Sequence, residues 1–317
     1  MSRHRVEVVK INEIHLHPNA DRLEIVKIRG WTCCIQKGQF KVGDLAAYIE
    51  PDNIVSETQQ FAFLGEHRRI KVKKLRGIVS QGLLIPAPEG SKEGDDVMDM
   101  LSITHYEPPE PMSTGGETEP PPVGYHPGYD VEHFNRYPNL FVDGEDIIIT
   151  EKLHGSCGRF CWVEGRMYAG SRNEWKKERD DIIWWKVIKR HPELTEFCCQ
   201  YPDITIYGEV YGSVQDLKYG HDKGRISFAI FDLLKNDWWI DGITAREIGK
   251  NLPWVPIVDI TGFSESKVRS LADGPSLAPD ANNIREGIVI KPTVERKCPE
   301  IGRVQLKLVS NQYLERN

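Results

Sequence analysis

The sequence predicts a two-domain chain, an all-β barrel followed by a larger α+β domain of antiparallel sheets with flanking helices. Three observations carry this. The length, 317 residues, is about twice a common domain size. Residues 105–128 hold seven prolines, four glycines, four acids and no Lys or Arg, the composition of an extended linker. The runs before that stretch are apolar and β-branched with turn-forming breaks, whereas those after it mix such runs with a helical period.

In residues 1–104, "VEVVKINEIHL", "RLEIVKIRGWTCCIQ", "DLAAYIE" and "RIKVKKLRGIVSQGLLIPA" read as strands. "HPNAD", "KGQFKVGD" and "PDN" punctuate them. Four or five strands in so short a segment, with little helix, suggest a closed barrel of OB type. Within it, "RRIKVKKLR" places six basic residues in nine positions. Alternation sets Arg69, Lys71 and Lys73 on one strand face and Ile70 and Val72 on the other. Two readings fit, an edge strand blunted by lysines or a phosphate-binding face for nucleic acid.

Charge and composition exclude other classes. The net charge of −6 does not advertise nucleic-acid binding, so local patches must carry any such role. No run approaches the ~18 apolar residues of a membrane span. The start, "MSRHRVEVVKINE", shows no secretory signal, and seven irregularly spaced cysteines without CxxC give neither a disulfide framework nor a zinc site. Reduced thiols in the cytoplasm are expected.

In residues 129–317, the period of "NEWKKERDDIIWWKVIKR" predicts a helix from Asn173, its N-cap, to Arg190. Trp175, Ile182, Trp185 and Ile188 would share one face, with Trp184 and Trp185 as core and groove wall. "DITIYGEV", "RISFAIFDLL", "EGIVIKP" and "RVQLKLV" read as strands.

The chemistry centres on "TEKLHGSCGRF", which follows Ile147–Ile149. A lysine amine attacks phosphorus only when neutral. From an unperturbed pKa near 10.4 about 0.04% is neutral at pH 7, a cost of about 4.6 kcal/mol. Desolvation and neighbouring cations lower that cost. Lys152 ends an apolar strand beside Gly155, which lets a phosphate approach closely, and His154, suited to binding pyrophosphate or steering protons. Downstream lie partners of matching chemistry. Glu209 suits a ribose hydroxyl, Glu286 a divalent cation, Phe231 and Val289 a purine sandwich, and Lys307 and Arg172 a phosphate clamp.

Two resemblances follow from these residues. "HPNADRLEIVKI", "KVGDLAAYI" and "LRGIVSQGLLIPA" resemble the tRNA-binding OB domains attached to aminoacyl-tRNA synthetases, implying an OB fold and RNA contact. "EKLHGS", "YGEVYG", "FAIFDLL", "EGIVIKP" and "RVQLKLVS", with Ser171-Arg172, are similar to the ordered motifs of covalent nucleotidyltransferases of the ATP-dependent RNA ligase group. An OB domain ahead of that core resembles the Deinococcus-type RNA ligases. DNA ligases and mRNA capping enzymes normally carry theirs after it. Cys157, where related ligases often have Asn, and Val309, where a lysine is expected, depart from the pattern.

The resemblance implies an enzyme that joins RNA 3′-hydroxyl and 5′-phosphate ends, in a nicked duplex, through lysyl-AMP on Lys152 and RNA-adenylate. It implies ATP and Mg²⁺ or Mn²⁺ as cofactors. Lys152, His154, Arg172 and Lys307 would be catalytic. Glu151, Gly155, Arg172, Glu209, Phe231, Glu286, Val289, Lys291 and Lys307 would line the nucleotide site, and Glu209 and Glu286 would take the metal. RNA ends, and a tRNA-like RNA on the OB domain, are the expected partners. The rival readings are a DNA ligase, a capping guanylyltransferase and a non-catalytic RNA-binding factor.

Overall fold

The computed structural model describes residues 4–106 and 117–316. The chain divides into two compact units, one of residues 1–109 with 314–317, the other of residues 110–313.

The first unit is built from short antiparallel strands. Leu45–Ile49 is the middle strand of a sheet with Glu7–Lys10 and Leu83–Pro86. Its alternate residues enter two different cores. Ala46 and Tyr48 join Val26, Trp31 and Ile35, while Ala47 and Ile49 join Val55, Phe61 and Ile70. A strand buried on both faces must be apolar throughout, which is how "LAAYI" reads. A second sheet runs Ile14–Leu16, Leu23–Ile28 and Trp31–Gln36, turning at Arg29 with φ of 57°.

The basic segment is not the continuous strand expected. Arg69 forms an isolated bridge with Ile54, and regular pairing resumes only in the hairpin of Lys73–Leu75 with Ile78–Ser80. Ile70 is buried between these pieces.

In the second unit, one sheet has seven antiparallel strands. Their order is Thr118–Glu119, Trp175–Lys176, Arg166–Gly170, Ser156–Val163, Ile204–Gly212, Ile226–Lys235 and Trp238–Trp239. The helices Ile183–Arg190 and Pro192–Gln200 supply Trp185, Val187, Leu194 and Phe197 to its core. The other sheet has five strands, in the order Glu132–His133, Leu306–Val309, Gly287–Pro292, Asp146–Lys152 and Ile257–Gly262. It is antiparallel except for its first pair. The helix Glu265–Ala272 covers it through Val268 and Ala272.

Two expectations are corrected here. The helix predicted from Asn173 begins at Ile183, because Trp175 and Lys176 are taken up as a strand between Gly170 and Glu119. Trp175 enters a cluster with Cys161 and Tyr168, separate from the one holding Ile182 and Trp185, so its helical spacing is coincidental. The segment 105–128 is not linker throughout. Residues 107–116 lie outside the described residues, but Thr118–Glu119 is a sheet strand. Proline removes donors and leaves carbonyls, and these bind the stretch to the second unit. His126 O accepts from Arg159 Nη1 at 2.7 Å and Pro127 O from Tyr207 at 2.9 Å.

Candidate active site

Strand alternation builds the site. Along Asp146–Lys152, Ile147 and Ile149 enter the core beneath the five-stranded sheet, where they meet Ile288, Ile290, Leu306 and Leu308. The intervening residues take the opposite face. On that face Thr150 pairs with Val289 and Val289 with Lys307, giving one row across three strands. Lys152 lies two residues further along, opposite Gly287. Apolar residues on one face therefore oblige Lys152, Val289, Lys291 and Lys307 to share the other.

Lys152 Nζ donates to Glu286 Oε2 at 2.6 Å. The same oxygen lies 3.3 Å from His154 Nδ1, and His154 Nε2 lies 2.6 Å from Asp216 Oδ1. Burial pushes the Glu286 carboxyl up, but the Lys152 charge and the hydrogen bonds from His154 and Lys152 outweigh it, holding the group below its ordinary range. Glu209 behaves oppositely. Burial pushes it up to about 7, with Glu286 adding to the rise and Lys152, His154 and the Gly155 N–H opposing it. Glu209 pairs in register with Cys157, whose thiol is pushed up to about 12 by burial and by Glu209. The position that departs from the related ligases thus presents a protonated thiol beside a carboxylate.

Glycine is required at the nucleophile turn. A Cβ on Gly155 would stand 2.1 Å from Val210 O, so no other residue allows the turn to cross the Ile204–Gly212 strand this closely.

The aromatic slot rests on a buried charge network. Phe231 packs its ring 4.4 Å from that of Tyr129. Behind them Asp232, fully buried, receives Lys291 Nζ at 2.6 Å, Arg303 Nη1 and Nη2 at 2.9 Å each, and the Tyr129 hydroxyl. Although burial pushes the Asp232 carboxyl up, Arg303 and Lys291 hold it far below its usual range. Lys307 is lowered by burial first, then by Lys152, Arg136 and Arg172, with Asp130 opposing. Asp130 is also the partner of Arg172 at 2.8 Å.

The structure brings Lys152, His154, Gly155, Glu209 and Glu286 together, and sets Val289 and Lys307 on the same face. It gives Arg172 the partner Asp130, and it turns two further residues elsewhere. Lys291 is 3% exposed and donates to Asp232 and to Phe231 O, so it supports the aromatic slot from below. Glu151 faces away from Lys152, its oxygens accepting from Ser276 Oγ and Leu277 N at 2.6 Å each. In the first unit, Arg69 is committed to Asp52 and lies 3.5 Å over the Tyr106 ring, whereas Lys71 and Lys73 are exposed.

Sequence reasoning missed Tyr129, Asp130, Arg136, Asp216 and Arg303. The first two directly follow the Pro-rich stretch, where composition drew attention away, and Asp216 sits in a loop without periodicity. The only available signal was Arg303, inside the strand-like "RVQLKLV". Among the described residues no three His, Cys, Asp or Glu side chains cluster at metal-ligand spacing. No helix of these residues is long and apolar enough to cross a membrane. All seven cysteines are free.

A lysine at a strand end, held by a carboxylate and followed by a glycine turn, with an aromatic slot and cations on the adjoining strands, defines a nucleotidyl-transfer site. The RNA ligase family model matches residues 145–309, and the chain belongs to that family. An OB-fold domain model matches residues 5–87. Among solved structures, the Naegleria gruberi RNA ligase with PPi is 27% identical, with a TM-score of 0.78 and 99% of each chain covered. Variants of that ligase with ATP and Mn, and with AMP and Mn, are each 26% identical, with TM-scores of 0.79 and 0.78 and 99% of each chain covered. The chain is also 32% identical over 89 residues to the methionine–tRNA ligase of Pyrococcus furiosus, and 32% over 87 residues to that of Thermococcus kodakarensis. These stretches are 27% of this chain and about a tenth of those relatives, 11% and 10%.

Proposed function

We propose that the protein is an ATP-dependent RNA ligase acting in three nucleotidyl-transfer steps. In the first, Lys152 Nζ attacks the α-phosphorus of ATP. A P–N bond forms, the bond to the β-phosphate oxygen breaks, pyrophosphate leaves and the amine sheds a proton. In the second, an oxygen of an RNA 5′-phosphate attacks the same phosphorus and the P–N bond breaks, leaving a 5′-adenylated end. In the third, a 3′-hydroxyl attacks the RNA phosphate and AMP departs. The observation that carries this reading is the shared sheet face. Lys152, held at 2.6 Å by Glu286, lies two residues along the same strand face from the row of Thr150, Val289 and Lys307.

Each side chain then has a task. Phe231, braced by Tyr129, and Val289 enclose the adenine. Lys307 and Arg172 neutralise phosphate charge so that the amine can approach. Arg136, whose charge acts on Lys307, adds to that field. Glu209 and Glu286 would hold Mg²⁺ or Mn²⁺ through their hard carboxylate oxygens. When bound, the cation offsets charge at the α-phosphate. Burial pushes Glu209 up to about 7, and a bound cation would favour its ionised form.

The nucleic-acid partner is RNA ends in a nicked duplex. The OB unit contributes RNA contact through Lys71 and Lys73. Free thiols support a reducing, cytoplasmic setting.

The test is incubation with α-labelled ATP and divalent metal, then denaturing electrophoresis. Wild-type protein acquires acid-labile label and Lys152→Ala acquires none. An unlabelled wild type, or a labelled Ala variant, rejects the mechanism. Nicked duplexes with RNA or DNA 3′-hydroxyl ends then separate RNA from DNA sealing.

A further inference from the structure

His154 lies in the turn after Lys152 and belongs to no strand. Its backbone N–H donates to the Tyr219 hydroxyl at 2.7 Å, which fixes the main chain and leaves the ring free to rotate about two bonds. Three groups contact the ring. Glu286 Oε2 lies 3.3 Å from Nδ1 and the Tyr313 hydroxyl 3.4 Å from Nε2, both long for hydrogen bonds, whereas Asp216 Oδ1 lies 2.6 Å from Nε2. Distance decides which of them holds the ring.

We propose that Asp216 is a positioning residue that clamps the His154 imidazole against Glu286, and so sets the carboxylate that holds Lys152. This rests on the ligase reading above. The line runs Asp216 Oδ1 to His154 Nε2, His154 Nδ1 to Glu286 Oε2, and Glu286 Oε2 to Lys152 Nζ, with all three contacts at 3.3 Å or less. The Asp216 side chain is 55% exposed, and its Oδ1 also accepts from the Leu217 N–H at 3.1 Å. The loop that carries it is anchored by its neighbours Leu217 and Tyr219, which are buried with Leu153, Tyr211 and Ala229. Removing the carboxylate therefore frees the ring and takes one acceptor from the loop backbone, whereas Asp216→Asn keeps that acceptor. A nucleophile must meet its target within narrow geometric limits, so a loosened ring is felt in the rate of the first step rather than in ATP affinity.

The experiment measures single-turnover formation of lysyl-adenylate in the full chain across ATP concentrations, with melting temperatures. Asp216→Ala is expected to lower the saturating rate on the order of tenfold, with the half-saturating ATP concentration and melting temperature unchanged. Asp216→Asn, which keeps the Oδ1 acceptor, restores most of the rate. An Ala variant as fast as wild type overturns the inference alone. So do Ala and Asn variants that are equally slow and equally destabilised, since that pattern marks a folding effect. An unlabelled wild type overturns the ligase reading and the inference with it.

Discussion

Glu209 and Glu286 flank one lysine, yet their environments drive them in opposite directions, which makes their effects on stability separable. Glu209 is pushed from an ordinary 4.5 up to about 7 by burial. Between those values the folded chain keeps a proton that the unfolded chain has released. Stability therefore falls as pH rises from about 4.5 to about 7, by at most about 1.4 kcal/mol per unit. Glu286, held below its usual range, contributes stability that is present above the unfolded value and lost as pH falls through the folded one. The two windows do not overlap. The half-buried histidines His126 and His133 are lowered by desolvation and work against Glu209, favouring stability as pH rises. The informative quantity is thus the difference between wild type and Glu209→Gln. In metal-free, nucleotide-free buffer, denaturant unfolding from about pH 5 to pH 8 should favour the Gln variant increasingly. A constant difference across that range would contradict the assignment. Added Mn²⁺ should narrow the difference, because the cation stabilises the ionised carboxylate.

At the scale of elements, two strands approach too closely for any side chain at Gly287. A Cβ there would stand 2.2 Å from Leu308 O and 2.9 Å from Val309 Cα, both backbone atoms with nowhere to move. Gly287 is also the residue opposite Lys152, so parting these strands displaces the nucleophile and Lys307 together. Gly287→Ala should lose about 3 kcal/mol of stability and most adenylation. Gly242→Ala is the control, since its methyl would meet Ile148 at an ordinary 3.5 Å. It should change stability by under about 1 kcal/mol. Equal effects of the two substitutions in denaturant unfolding would show that close approach is not what Gly287 provides. The Asp232 network acts at the same scale, fastening the strands that carry Phe231, Lys291 and Arg303 around one buried carboxylate.

Across the whole molecule, the proposed function puts nucleotide chemistry and RNA grip on separate units, so they should fail separately. Lys71 and Lys73 are exposed on the OB unit, whereas Arg69 is engaged by Asp52 and Tyr106. Converting both lysines to Ala should weaken nick sealing and leave lysyl-adenylate formation intact. The dependence of log binding on log salt should become shallower by roughly 1.5, the share of two phosphate contacts. Binding measured at several salt concentrations checks this, and an unchanged slope would remove the lysines from the interface. Arg69→Ala should instead lower the stability of the OB unit.

The sequence by itself determined the chemistry. Lys152, Glu209, Phe231, Glu286 and Lys307 each stand in or beside a short apolar run whose period of two fixes their face locally, with no need of distant contacts. The OB strands were legible for the same reason. Only the tertiary structure decided how those faces are held. Asp232 is shared by Lys291 and Arg303, which lie 59 and 71 residues away, and Asp216 reaches His154 from an irregular loop. Long-range pairing also overruled local signals. Trp175 has helical spacing to Ile182 but is drawn into a sheet edge by Glu119 and Gly170, and a stretch that reads as linker docks through the carbonyls of His126 and Pro127. A backbone group or buried charge must find a partner somewhere, and sequence periodicity does not say where.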